Sequence, residues 1–129
     1  MDAGRLQTVA IFSGLSKKEL ERLGRWTDEL TVEAGYELAT EGRFAHEFFV
    51  IEDGAAAVVK DGERIAELGP GDFFGEIGLL ETERRTASVI ATTPMTVIVM
   101  FGREFKQMEQ EMPAVADRVR SAIRARLDA

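Results

Sequence analysis

The sequence contains no cysteine and a single histidine among its 129 residues. Without cysteine it can form no disulfide scaffold, thiolate metal site or thiol nucleophile. One histidine, His46, cannot build a multi-histidine metal centre such as that of the β-barrel metal oxygenases. No nucleophile-elbow motif accompanies it, so a Ser/His/Asp triad is also excluded. We therefore expect no bound metal, no catalytic residues and no enzymatic activity.

Positive charge and long apolar runs are also scarce. The chain has 16 Lys and Arg against 23 Asp and Glu, a formal net charge of −7, and non-specific nucleic-acid binding needs clustered positive charge. The longest uncharged segment, 86–102, includes four threonines, a serine and a proline, which is typical of two strands around a turn and not of a membrane span. The N-terminus lacks the basic and apolar regions of a signal peptide. We expect a cytoplasmic protein that does not enter a membrane.

Helix signals occur only near the two ends of the sequence. Ser16 and Glu19 have the spacing of a capping box, and Leu15 and Leu20 that of a hydrophobic staple, so we predict a helix from 17 to about 25. Near the C-terminus we predict a helix from 103 to about 110. A second, amphipathic helix begins at Pro113 and ends near 128.

Between these helices the pattern is that of β-strands separated by turns. Asp61-Gly62 lies between two strand-like runs and predicts a two-residue hairpin. Short apolar runs at such spacing predict a sandwich, roll or barrel over about 28–101. No linker or low-complexity tract divides the chain, so we predict one domain over 1–129. Six runs are predicted as strands: 30–32, 48–51, 55–59, 65–68, 88–91 and 95–101.

The segment 73–88 contains the elements of an anion site. A glycine-flanked turn offers free backbone N–H groups, and Gly78 allows a ligand to approach the backbone closely. Glu76 lies within an apolar run, and Arg85 follows it after a short acidic loop. These features suit a small phosphate ester that also carries a hydroxyl group for Glu76 to hold. A buried ion pair between Glu76 and Arg85 is the structural alternative.

The run FGEIGLLETERRTAS resembles the phosphate-binding cassette of cyclic nucleotide-binding domains. The opening IFSGLSKKELERL is similar to the first helix of that family, and the phrases FFVIEDG and LGPGDFFGE are similar to its β-roll turns. The resemblance implies a mainly β fold with flanking helices. It would be an antiparallel, jelly-roll-like β-roll with a helix before it and helices after it.

The resemblance also implies roles for individual residues. Arg85 would pair with the cyclic phosphate, and Glu76 would accept a hydrogen bond from the ribose 2′-hydroxyl. Gly75 would admit the sugar, backbone N–H groups near Gly78 would bind phosphate oxygens, and Thr86 would contact the phosphate or a guanine amino group. Arg84 is expected to be a solvated neighbour. The implied ligand-binding set is Gly75, Glu76, Ile77, Gly78, Leu79, Arg85 and Thr86.

Contacts to the base are implied at two further places. Val58 and Ile65 would line the wall of the roll, although residues of this kind are more often ordinary core residues. Arg120 or Arg124 on the last helix would cover the base, although arginines near a helix C-terminus also complement the helix dipole.

The implied function is that of a sensor domain that binds a cyclic nucleotide, cAMP ahead of cGMP, with no other cofactor. Binding would be transmitted through the C-terminal helices to an effector domain or partner protein absent from this chain, and a homodimer is also an expected arrangement. No helix-turn-helix follows the amphipathic helix, so we expect no direct DNA binding by this chain. The alternative function is that of a degenerate β-roll, a module for protein interaction or dimerisation that binds no nucleotide.

Overall fold

Two four-stranded antiparallel sheets form the centre of the structure. The structure is a computed structural model and describes residues 12, 14–43, 47–75 and 85–127. The first sheet has the order β1-β8-β3-β6 and contains β1 (Asp28–Val32), β3 (Glu47–Asp53), β6 (Phe73–Phe74) and β8 (Met95–Phe101). The second has the order β2-β7-β4-β5 and contains β2 (Glu37–Ala39), β4 (Ala56–Lys60), β5 (Glu63–Leu68) and β7 (Ser88–Ala91).

The side chains of β3 alternate between two apolar clusters. Phe49 and Ile51 lie between the sheets, in a cluster to which both sheets contribute. Phe48 and Val50 point the other way, into a cluster shared with the helices. A strand buried on both faces has an unbroken apolar sequence, which explains the run from 48 to 51. The predicted mainly β fold with flanking helices is confirmed.

The N-terminal helix α1 (Lys17–Leu23) begins with the predicted capping box. The Ser16 hydroxyl accepts a hydrogen bond from the Glu19 N–H at 3.1 Å, and the Glu19 carboxylate accepts one from the Ser16 N–H at 2.9 Å. The second of these bonds lowers the pKa of Glu19, and Arg118 acts in the same direction. The α-helix ends two residues earlier than predicted, because the chain continues as a 3₁₀ turn over Gly24–Trp26.

Two C-terminal helices, α2 (Gly102–Glu111) and α3 (Pro113–Leu127), cover the outer face of the first sheet. Pro113 occupies the first position of α3, as predicted. An ion pair between Arg118 and Glu19 joins α3 to α1, and one between Arg120 and Glu109 joins α3 to α2. Within the described ranges, no helix is long and apolar enough to cross a bilayer.

The β4–β5 connection is the predicted two-residue hairpin. Asp61 and Gly62 have φ angles of 52° and 79°, and positive φ at both central positions defines a type I′ turn. All six predicted strands are present, with 88–91 and 95–101 at their predicted bounds. The short strands β2 and β6 were not predicted.

Candidate functional site

Arg85 is a buried charged residue, with 8% of its surface exposed. Its Nη2 donates a hydrogen bond to the carbonyl oxygen of Glu47 at 2.8 Å. Its backbone is fixed as well, because its N–H donates to the Arg43 carbonyl at 2.7 Å and its carbonyl accepts from the Gly42 N–H at 2.9 Å. The loop before β3 and the first residue of β3 therefore position this guanidinium.

Gly75 follows β6 directly and lies against Arg85. Its φ is +79°, and a Cβ at this position would come within 2.5 Å of the Glu47 carbonyl oxygen and would overlap Nη1 of Arg85. Glycine is needed here because the Arg85 side chain occupies the adjacent space. Sequence reasoning assigned Gly75 to the sugar instead. That role remains a prediction, and the contact with Arg85 is a second reason why glycine occupies this position.

Gly75→Ala is expected to disturb the position of Arg85 and to destabilise the domain. A non-glycine residue in this backbone region costs about 1–3 kcal/mol of stability. Thermal unfolding of the unliganded variant measures that loss, and Gly62→Ala is a control with a similar φ and no atom near its added Cβ. Equal losses of stability in the two variants would show that backbone strain alone acts at Gly75 and that displacing Arg85 does not destabilise the domain.

Four of the predicted ligand-binding residues, together with Arg84, lie outside the described residues. They belong to the segment 76–84, which lies between Gly75 and Arg85 in the sequence. The structure brings Gly75 and the Arg85 guanidinium together. The two residues that flank this segment in the sequence therefore lie next to each other. The roles of Glu76, Ile77, Gly78 and Leu79 remain predictions.

The residues after Arg85 lead into β7. Thr86 is exposed, and its contact with a ligand remains a prediction. Ser88, the first residue of β7, has a local structural partner, since its hydroxyl accepts a hydrogen bond from the Glu41 N–H at 2.9 Å. This bond fastens the start of the β2–β3 loop to β7.

The predicted base wall lies on the β4–β5 hairpin. Val58 is half-buried and packs against the cluster between the sheets, so the core interpretation holds for part of its surface. Ile65 on β5 is 58% exposed, so core packing does not account for it, and contact of either residue with a base remains a prediction. Val58 pairs with Ala66 across the ladder, which brings the two predicted contacts onto neighbouring strands.

Arg120 is held by the C-terminal helices. It forms ion pairs with Glu109 and Asp117, and its guanidinium carbon lies 5.4 Å from the centre of the Phe105 ring. Covering a base would require it to leave these partners, because a guanidinium cannot serve both sites at once. Arg124 is exposed. Base contact by either arginine remains a prediction.

Sequence reasoning missed the backbone groups that hold Arg85. The carbonyls of Glu47 and Arg43 and the N–H of Gly42 leave no signal in side-chain identity, since every residue carries them. Among the described residues, no group of three or more His, Cys, Asp and Glu could hold a metal ion.

Comparison with known proteins identifies the family of the domain. The family model of the cyclic nucleotide-binding domain matches residues 29–112. A cAMP-dependent protein kinase regulatory subunit of Yarrowia lipolytica is 36% identical over 107 residues, which cover 81% of this chain and 28% of that protein. A cGMP-dependent protein kinase of Caenorhabditis briggsae is 32% identical over 105 residues, 77% of this chain and 14% of that protein. The chain thus spans less than a third of these relatives.

A solved structure also has the same fold. The crystal structure of a cyclic nucleotide-binding domain from Methylobacillus flagellatus superimposes with a TM-score of 0.83 at 23% sequence identity, covering 98% of this chain and 76% of that one. The match of the family model extends over both sheets and α2, and it includes Gly75, the segment 76–84 and Arg85. This chain belongs to the cyclic nucleotide-binding domain family.

Proposed function

We propose that this domain binds a cyclic nucleotide and reports its presence to an effector. The observation that carries the proposal is the buried Arg85 guanidinium, held by the Glu47 carbonyl beside Gly75 at the junction with the segment 76–84. A planar guanidinium can donate two parallel hydrogen bonds to one phosphate group. Its partial burial strengthens such bonds, because water competes less there.

The proposed ligand lies between this junction and the β4–β5 hairpin. Arg85, Thr86 and the backbone N–H groups of the turn (Ile77, Gly78, Leu79) contact the cyclic phosphate. Glu76 accepts a hydrogen bond from the ribose 2′-hydroxyl, and the sugar passes Gly75. Val58 and Ile65 contact the base, and Arg120 or Arg124 covers it once the helices are rearranged.

The register of β3 and β8 supports the proposed transmission to the C-terminal helices. Glu47, whose carbonyl holds Arg85, pairs with Phe101 across the first sheet. Phe101 directly precedes α2, and its N–H donates to the Glu104 carboxylate at 3.1 Å. A ligand that binds one arrangement of Arg85 better than another would therefore favour one arrangement of α2 and α3. The recipient is an effector domain, a partner protein or a second copy of the chain.

We propose cAMP as the preferred ligand and cGMP as the alternative. The support for cAMP is the regulatory subunit of Yarrowia lipolytica, which is named as cAMP-dependent and is the more similar of the two kinase relatives described above. Thr86 is the residue that favours the alternative, because its exposed hydroxyl could reach a guanine amino group.

Binding by the folded domain is expected to raise its melting temperature. At a cyclic nucleotide concentration of one hundred times Kd, the gain in stability is about 2.7 kcal/mol, which corresponds to roughly 8–13 °C for a domain of this size. AMP lacks the cyclic ester and carries more charge, so it should shift the melting temperature far less. Scanning calorimetry with cAMP, cGMP and AMP makes the comparison.

Two outcomes would contradict the proposal. Equal shifts with AMP and cAMP would exclude a pocket for a cyclic phosphate. No shift with either cyclic nucleotide, on protein that unfolds cooperatively, would favour the interaction module without nucleotide binding.

A further inference from the structure

We propose that Glu41 is a positioning residue that holds the base wall at a fixed distance from Arg85. Its carboxylate accepts a hydrogen bond from the N–H of Asp61, at the tip of the β4–β5 hairpin, at 3.1 Å. The inference deepens the proposed function and rests on it. No chemistry is assigned to Glu41 itself, because its contact is to the protein backbone.

Glu41 connects the two ends of the proposed pocket through short steps. On one side, its own N–H donates to the Ser88 hydroxyl, and the N–H of the next residue, Gly42, donates to the carbonyl of Arg85. On the other side, its carboxylate reaches Asp61 in the hairpin that carries Val58 and Ile65. A shift of the hairpin tip relative to Arg85 would therefore stretch the bond between Glu41 and Asp61.

The hairpin needs such a fastening because its tip extends past the sheet. The ladder between β4 and β7 ends at the pair Val59–Ser88, whereas β4 and β5 continue to Lys60–Glu63. β5 is an edge strand and is exposed over five of its six residues. The pairing of β4 with β5 also shifts register between Val58 and Val59 of β4, and a bulge of this kind bends and twists a strand.

The type I′ turn leaves an N–H group for Glu41 to accept. In a two-residue hairpin loop the N–H of the first loop residue, here Asp61, has no partner in the ladder. A carboxylate is a stronger acceptor than water or a neutral oxygen. The bond thus fixes the tip at a backbone donor that the ladder does not use.

The test compares cAMP with a ligand that lacks the base, the 3′,5′-cyclic phosphate of 1-deoxyribose. Glu41→Ala should weaken cAMP binding by about 3- to 10-fold, the equivalent of one modest hydrogen bond, and should change binding of the base-free ligand by less than about 2-fold. Glu41→Gln keeps an acceptor oxygen and should restore most of the cAMP affinity. Glu63→Ala removes the same charge from an exposed position on the same hairpin and should leave both affinities unchanged.

Loss of affinity by the same factor for both ligands would overturn the proposal, because Glu41 would then act on the phosphate end or on the fold as a whole. So would unchanged cAMP binding by Glu41→Ala, or an equal effect in Glu63→Ala. Amide hydrogen exchange gives a readout without ligand: the Asp61 N–H should exchange faster in Glu41→Ala and remain protected in Glu41→Gln. If neither ligand binds the wild type, the proposed function fails, and faster exchange at Asp61 would still support the fastening of the hairpin.

Discussion

Arg85→Ala should weaken cyclic nucleotide binding by about 3–5 kcal/mol, which is about 10²- to 10³-fold or more. The substitution removes two charge-assisted hydrogen bonds and leaves the phosphate in a partly buried site without its counter-charge. Arg85→Lys should recover part of this loss, since a lysine restores the charge but cannot reproduce the planar fork. Titration calorimetry with cAMP and cGMP measures both variants.

Two neighbouring arginines serve as controls for Arg85. Arg43 is exposed and bonds to Arg85 through its backbone carbonyl alone, so Arg43→Ala should cost less than about 1 kcal/mol in binding. Arg84→Ala tests which of the two adjacent arginines binds the phosphate, and it should have an equally small effect. Near-wild-type binding by Arg85→Ala, or a greater loss at Arg84, would move the phosphate site to other residues.

Arg85→Ala should also destabilise the unliganded domain. A residue that served the ligand alone would leave the fold unchanged when removed. The structure indicates otherwise, because Nη2 donates to the Glu47 carbonyl and Arg85 is buried. Losing the donor to this part-buried carbonyl costs about 1–3 kcal/mol at most. Denaturant unfolding without ligand gives this value separately from the binding loss.

Glu76 should supply the discrimination between ribose and deoxyribose. A hydrogen bond to a charged group contributes about 1.5–3 kcal/mol, so 2′-deoxy-cAMP should bind roughly 10- to 150-fold more weakly than cAMP. Glu76→Ala should bind both ligands with similar, reduced affinity, because the acceptor of the 2′-hydroxyl is gone. Competition titrations with the two nucleotides measure the ratio directly.

The ratio of the cAMP and 2′-deoxy-cAMP affinities also shows whether Glu76 contacts the ribose or only stabilises the fold. If Glu76 instead formed a structural ion pair with Arg85, its removal would lower the stability of the unliganded domain and weaken both ligands by the same factor. A Glu76→Ala protein that still prefers cAMP by the full factor would assign the ribose contact to another residue.

Local signals predicted much of the fold. The capping box at Ser16 and the Asp61–Gly62 turn are each determined by a few adjacent residues, and both are present as predicted. The strands β2 and β6 were missed because three or two residues are too few to show alternation, and their pairing partners lie far away in the sequence. The α-helix after Ser16 ends earlier than predicted because of a tertiary contact. Trp26 belongs to the apolar cluster that the helices share with the first sheet, and the chain turns so that Trp26 can reach this cluster.

Only part of the site could be predicted, because a sequence pattern shows side chains and not the backbone groups that hold them. Side chains with distinctive chemistry, such as Arg85, can be recognised in a sequence pattern. The groups that hold them cannot, because the Glu47 carbonyl is a property of the backbone at a particular point of β3. The ion pairs of Arg120 depend on how α2 and α3 pack, and no spacing in the sequence shows that Glu109 lies next to it.

The position of β1 in the first sheet has a consequence for how the chain folds. β1 pairs with β8 and with no other described strand, Asp28 lying opposite Val99. During synthesis, β1 must therefore wait until almost the whole β region has emerged from the ribosome before its partner exists. Pairing of such distant segments is slow to form, and unpaired strand edges in the interval are open to aggregation. A nascent chain should remain sensitive to protease until Met95 has emerged from the ribosome, and it should gain protection in a single step once Phe101 has emerged.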